Sequence, residues 1–367
     1  MTTTDTSPAP LYARAAYRGI ELYAPDRRPA SIDLSDNTNR WGVPPGALRE
    51  LRDAGVALAS RYPAVYSTPL KRTLADYAGV HPSMIVTGCG SDDVLDSAIR
   101  AFAEPGDRVV MSEPSFPMIP LFAAMNGLEY SGIPLSSSYD IDVESLVAGE
   151  PRITYLCSPN NPTGTTVARA AIKAVLAGAR GIVIIDEAYV EFSDSTALDL
   201  VSAYDNLLIV RTMSKAFGLA GLRVGYAIGA PALVADIEKS RGPYKVSGLA
   251  ERAAITALTE DLDWVREHIG LTIANRQRLV AALRARGLDV TPSLSNFVFA
   301  PVSRAPAVAR RMREGAHGVA VRAFEGLRPV SAALQASGGC ALRISVGPWP
   351  EIESALAAFD EAMAVCE

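Results

Sequence analysis

Asn206-Leu-Leu-Ile-Val-Arg-Thr-Met-Ser-Lys-Ala-Phe-Gly218 is the stretch from which the fold is read. A short apolar, partly β-branched run breaks into polar turn chemistry, the pattern of a buried strand that ends in a loop. Similar runs occur at 84–87, 108–111, 153–157, 181–185, 207–210 and 224–228, with helical patterns such as 92–103 and 168–177 between them. Strands alternating with helices predict βαβ units, hence an α/β fold with a mostly parallel sheet and helices on both faces. Lys215 then follows the carboxyl end of a buried strand, the edge where open α/β sheets bind ligands. A lysine there can be desolvated, lose its proton and form a Schiff base with an aldehyde. Taken alone, it reads far more readily as a solvated loop lysine.

Working outward, residues 1–30 are rich in Pro, Arg and Tyr and read as an extended arm. Residues 31–247 form the large domain, whose first residues are free to pack against the small one. From 248 the pattern changes. Two long amphipathic stretches, 249–259 and 264–286, precede weaker strands at 296–300, 318–322 and 341–346, and a last helix lies near 351–365. This predicts a smaller α+β C-terminal domain over 248–367, joined to the first by the long helix.

Composition narrows the function. The chain has 367 residues, 49% hydrophobic and 20% charged, the balance of a globular protein. A net charge of −5 argues against nucleic acid or a membrane surface as partner. No apolar run approaches the ~20 residues of a membrane span. The polar start lacks a basic segment followed by an apolar one, so no secretory signal is expected. Cys89, Cys157, Cys340 and Cys366 form no C-x-x-C pair, which points to a reducing cytoplasm. His81, His268 and His317 match no zinc spacing, so no metal is expected.

Three further segments supply partners for Lys215. Gly181-Ile-Val-Ile-Ile-Asp-Glu-Ala-Tyr189 ends a β-branched run in Asp186. A buried acid needs a partner, and this one reads either as a helix N-cap or as a carboxylate facing a protonated ring nitrogen, with Tyr189 in reach of the same ring. Ser158-Pro-Asn-Asn-Pro-Thr-Gly164 is a tight polar loop after another strand, and Val86-Thr-Gly-Cys-Gly-Ser-Asp-Asp93 opens a helix with glycines. The free N–H groups of such a helix start suit an anion, although Ser91 or Asp92 also reads as a plain cap. Ser214 and Arg223 flank Lys215 and are apt phosphate partners. Together these residues supply a lysine for an imine, an acid for a pyridinium nitrogen and a phosphate cup, the groups that a pyridoxal 5′-phosphate enzyme requires.

On those strings, and on Arg211-Thr-Met-Ser-Lys-Ala-Phe-Gly-Leu-Ala-Gly-Leu-Arg-Val-Gly225 above all, the chain resembles the fold-type I pyridoxal-phosphate aminotransferases of the aspartate aminotransferase superfamily. Within them it is most similar to the histidinol-phosphate aminotransferases. The resemblance implies that Lys215 is the Schiff-base lysine and proton carrier and that Asp186 holds the ring nitrogen protonated. Asn161 and Tyr189 would bond the phenolic oxygen, and Phe116 would stack on the ring. Gly90, Ser91, Asp92, Ser214 and Arg223 would hold the phosphate. Tyr62 would reach the phosphate of a partner subunit, making a homodimer. Arg343 and Arg322 would bind substrate, with Asn37 and Tyr23 on the substrate side. The reaction implied joins a small-molecule amino donor to a 2-oxo acid, with 2-oxoglutarate as the acceptor.

The chain departs from that pattern at Thr38, where an acid is usual beside the asparagine, at Phe116, where tyrosine is commoner, and over 39–45. These positions bear on the substrate. An aromatic or other amino-acid aminotransferase of secondary metabolism is therefore the alternative, and a threonine-phosphate type decarboxylase is a third reading. One fold serves all of them.

Overall fold

The protein is described here from a computed structural model, which covers residues 12–22, 24, 26 and 28–366. Its strands are β1 Ile32–Leu34, β2 Ile85–Cys89, β3 Arg108–Glu113, β4 Glu129–Pro134, β5 Ile153–Cys157, β6 Ile182–Asp186, β7 Leu207–Thr212, β8 Val224–Gly229, β9 Phe297–Pro301, β10 Val319–Phe324 and β11 Ala341–Ser345. Seven of them form one sheet in the order β2-β8-β7-β6-β5-β3-β4. The pairs from β7 through β4 are parallel, whereas β8 runs antiparallel to both its neighbours.

The β-branched runs make this sheet because period-two alternation feeds a core on each face. Val183, Ile185, Leu207 and Ile209 enter one core, and their neighbours Ile184, Leu208 and Val210 enter the other. Every residue of β5, β7 and β8 is buried.

The second sheet has the order β1-β10-β11-β9 and its own core, around Leu34, Val298, Val319, Leu342 and Ile344. β1 pairs parallel with β10, so residues 32–34 lie with the C-terminal strands although nearly the whole chain separates them. The long helix Leu262–Arg284 joins the two parts, with Val265 in the first core and Leu279 and Leu283 in the second.

Among the elements with no counterpart in the sequence reading are one strand of the large sheet and one turn of the arm. β4 carries Gly132 and Pro134 and is only half-buried, so no alternation marks it; it exists because β3 pairs with it along six residues. In the arm, Ala15–Tyr17 forms a single 3-10 turn against the helix Met118–Asn126.

Candidate active site

The loops expected to carry chemistry meet at one edge of the large sheet. β6 ends at Asp186, and β5 feeds Ser158–Gly164, in which Ser158-Pro159 and Asn161-Pro162 are cis. β7 feeds Ser214 and Lys215, β2 feeds Gly90, and β3 feeds Phe116. β8 starts at this edge because it is antiparallel, which brings Arg223 here as well. The result is a cavity of about 540 Å³, closed on the far side by the second sheet. Its wall includes Lys215, Asp186, Asn161, Tyr189, Phe116, Ser91, Asp92, Ser214, Arg223, Asn37, Arg322 and Arg343.

Asp186 is 4% exposed. Its Oδ2 accepts from the Tyr155 hydroxyl at 2.7 Å and its Oδ1 from the Ala188 N–H at 3.0 Å. Burial pushes its carboxyl up to about 6, and those hydrogen bonds oppose the rise. A buried carboxylate of this kind gains from a cation placed against it.

Lys215 Nζ is enclosed by protein yet reaches the cavity, and it donates to the Asp36 carbonyl at 3.0 Å. Burial first, and the positive charge of Arg343 second, lower its pKa to about 8. Its ammonium also lies 5.8 Å from the centre of the Tyr189 ring. The Tyr189 hydroxyl accepts from Asn37 Nδ2 at 3.1 Å, and burial raises that hydroxyl's pKa.

The polar cup forms where β2 gives way to the helix Gly90–Phe102. The first N–H groups of a helix have no partner within it. Gly90 has φ +83, and a Cβ there would lie 2.3 Å from an Arg223 guanidinium nitrogen. A Cβ on Gly225 would lie 2.2 Å from the Gly90 carbonyl carbon and the Ser91 nitrogen. Glycine at both positions therefore lets β8 and the arginine close over the turn. Arg223 adopts a left-handed φ of 53 and pairs with Asp92 at 3.4 Å. Ser214 completes the cup, its Oγ receiving the Thr212 hydroxyl at 3.0 Å.

On the second sheet, Arg322 and Arg343 stand opposite each other in the β10–β11 register, and both line the cavity. The Arg343 fork donates to the Asn161 side-chain carbonyl and to the Ser35 carbonyl at 2.7 Å. Its cation lies 5.4 Å from the Phe297 ring and 5.7 Å from Phe324. Asn37, with φ 57, bridges the sheets: its N–H donates to Ser345 Oγ at 2.8 Å while its amide reaches Tyr189.

Among the described residues, Gly90 and Tyr62 of the expected set are not on this wall, Gly90 lying behind it in the turn of the cup. Tyr62 is 83% exposed, beside Tyr244 at 4.8 Å between rings. Tyr23 lies outside the described residues. The departures from the family pattern do fall at the site, since Thr38 and Phe116 both line the cavity. Asn39 donates to the Ala216 carbonyl at 3.0 Å, next to Lys215, and the Gly42 carbonyl would lie 2.2 Å from a Cβ on Gly218. Sequence reasoning missed Tyr155, Thr212, Asp36 and Phe324. A tyrosine inside the apolar run 153–157 was the available signal, because a buried hydroxyl needs an acceptor.

The family model for aminotransferase class I and II matches residues 29–359, and the chain belongs to that family. It is a pyridoxal-phosphate-dependent aminotransferase with the aspartate aminotransferase-like fold. Among its relatives, the histidinol-phosphate aminotransferase of Methylibium petroleiphilum is 35% identical over 358 residues, covering 95% of this chain and 94% of that one. The protein of that name from Caldanaerobacter subterraneus is 31% identical over 328 residues, covering 88% and 92%. The crystal structure of histidinol-phosphate aminotransferase from Sinorhizobium meliloti in complex with pyridoxal-5′-phosphate superposes with a TM-score of 0.87 at 26% identity, covering 98% and 99%. The residues present fit that cofactor: a buried carboxylate, an amine of lowered pKa and a glycine turn closed by an arginine lie around one cavity.

Proposed function

We propose that the chain transfers the amino group of histidinol phosphate to 2-oxoglutarate. The observation that carries this reading is the facing pair Arg322 and Arg343 on the cavity wall. Two guanidiniums suit substrates that are anionic away from the amine, with the phosphate of one substrate and the distal carboxylate of the other meeting the same pair.

The cofactor, when bound, supplies an aldehyde for the amine and a protonated ring that takes up electrons from the substrate carbon. Lys215 is the residue that binds the aldehyde. Near neutral pH a fraction of its amine is unprotonated, so Nζ would take a proton from the substrate carbon and deliver it to the carbon of the cofactor's aldehyde, two atoms along. Asp186, fixed by Tyr155, faces the ring nitrogen and keeps its proton in place. Asn161 is oriented by Arg343, and with Tyr189 it meets the phenolic oxygen. The N–H groups of Gly90, Ser91 and Asp92, the Ser214 hydroxyl and the Arg223 fork hold the phosphate. Phe116 packs on the ring, and Asn37 sets the Tyr189 hydroxyl from the second sheet.

The enzyme works as a cytoplasmic homodimer in this reading. Tyr62 and Tyr244 lie ring to ring as an exposed aromatic pair, and Tyr62 reaches the partner's phosphate from it.

A second reading has its own support. Phe116, Met118 and Phe324 give the cavity an apolar side that suits an aromatic donor. One donor screen against 2-oxoglutarate separates the two readings, using histidinol phosphate, phenylalanine, tyrosine and threonine phosphate. The proposal expects the highest kcat/KM for histidinol phosphate. Turnover of aromatic donors alone refutes it.

A further inference from the structure

Arg322 lines the reaction cavity, a shallow cleft beside Glu21 and Met118, and a second cavity of about 390 Å³ between β10, the helix Ala305–Glu314 and the arm residues Ala24, Asp26 and Arg28. This second cavity is strongly basic, with Arg28, Arg310, Arg313 and Arg322 on its wall against Asp26. Glu314 pairs with Arg28 at 3.4 Å, and Glu21 shares the neighbouring cleft with Arg322. Among the described residues of the wall itself, four arginines stand against one carboxylate.

Asp26 is already committed. It holds Arg28 through Oδ1 at 3.1 Å and Oδ2 at 2.9 Å, and it lies 3.6 Å from Arg313, whose side chain is 9% exposed. Hydrogen bonds from Arg28, aided by the charge of Arg313, bring its carboxyl down to about 2. Arg310 and Arg322 differ: among the described residues neither has a carboxylate partner. Like charges kept together without counter-charge are unfavourable, and a dianion relieves that cost. A planar carboxylate satisfies one guanidinium fork, whereas a phosphate offers oxygens to two forks from different elements.

We propose that this cavity between the arm, β10 and the helix Ala305–Glu314 is an anion site for a phosphate group, separate from the cofactor's phosphate cup. Arg322 joins it to the reaction cavity, so an anion here competes for the fork that faces substrate. Bound phosphate therefore raises the KM of an anionic donor and leaves kcat unchanged. The inference does not depend on which donor the enzyme prefers.

The test is calorimetric titration of the holoenzyme with sodium phosphate, against sodium chloride at equal ionic strength, and in a second arm with glycerol phosphate. The cofactor cup is filled in the holoenzyme, so it does not contribute. Phosphate is expected to bind, and Arg310→Ala to weaken that binding about tenfold, the usual size for one charge-assisted contact. Arg310→Lys should recover part of the loss. Arg310 is exposed, and neither variant should change the cofactor's absorbance or the phosphate-free rate with glutamate. Tighter binding of the ester assigns the site to phosphorylated metabolites, and equal or tighter binding of the free ion assigns it to phosphate itself. Absence of binding in both arms, or binding equal in Arg310→Ala and the parent, overturns the proposal.

Discussion

Tyr155→Phe removes one oxygen from beneath the reaction site and leaves the packing otherwise intact. Tyr155 is 0% exposed, and its hydroxyl donates to Asp186 at 2.7 Å. Burial drives the Asp186 carboxyl up to about 6, and this bond is the largest of the effects that hold it down. A hydrogen bond to a charged group contributes about 1.5–3 kcal/mol, so its loss should raise the titration of Asp186 by roughly one to two pH units. A neutral carboxyl cannot hold the proton on a ring nitrogen. The parent protein should therefore lose cofactor affinity as pH falls through about 6. The variant should lose it already between pH 7 and 8, with affinity about two- to tenfold weaker at pH 7. The assay is the cofactor dissociation constant, followed by fluorescence from pH 5.5 to 9, with urea unfolding as a check on the fold. A variant with the parent's affinity and the parent's pH midpoint would refute the claim that Tyr155 tunes Asp186.

Two other substitutions probe the same architecture. Gly90→Ala places a methyl group 2.3 Å from the Arg223 fork at a φ of +83, so cofactor affinity should fall about tenfold or more, as equilibrium dialysis would show. Glu191, whose carboxyl burial pushes from 4.5 up to about 7, tests linkage. Between those two values the folded chain keeps a proton that the unfolded chain has given up, so rising pH favours unfolding. The cost is absent below about 4.5 and complete above about 7. Glu191→Gln should therefore gain stability relative to the parent between pH 4.5 and 8, by up to about 3 kcal/mol. Parallel unfolding midpoints for the two proteins across that range would contradict it.

The site was legible where strand tips carry it. Asp186 and Lys215 each follow an apolar run, and position alone places them at the binding edge of a parallel sheet. Arg223 was legible through its neighbours, but its place over Gly90 depends on β8 running antiparallel, which nothing in Val224–Gly229 announces. β1 and β4 were harder. Three residues of β1 find their partner in β10, near the other end of the chain, and β4 is an edge strand with polar residues. The links that span the two sheets, Asn37 to Tyr189 and Arg343 to Asn161, are set by docking and leave no local pattern. Tyr155 hid in an apolar run because half of a tyrosine is apolar.

The central claim is that Lys215 carries the cofactor. Borohydride reduction of the purified holoenzyme, followed by peptide mass mapping, tests it directly, because only four other lysines compete: Lys71, Lys173, Lys239 and Lys245. The account predicts one pyridoxyl adduct per chain, on Lys215, and loss of the visible absorbance band in Lys215→Ala. An adduct on another lysine, or an unchanged band with full turnover in Lys215→Ala, would contradict it.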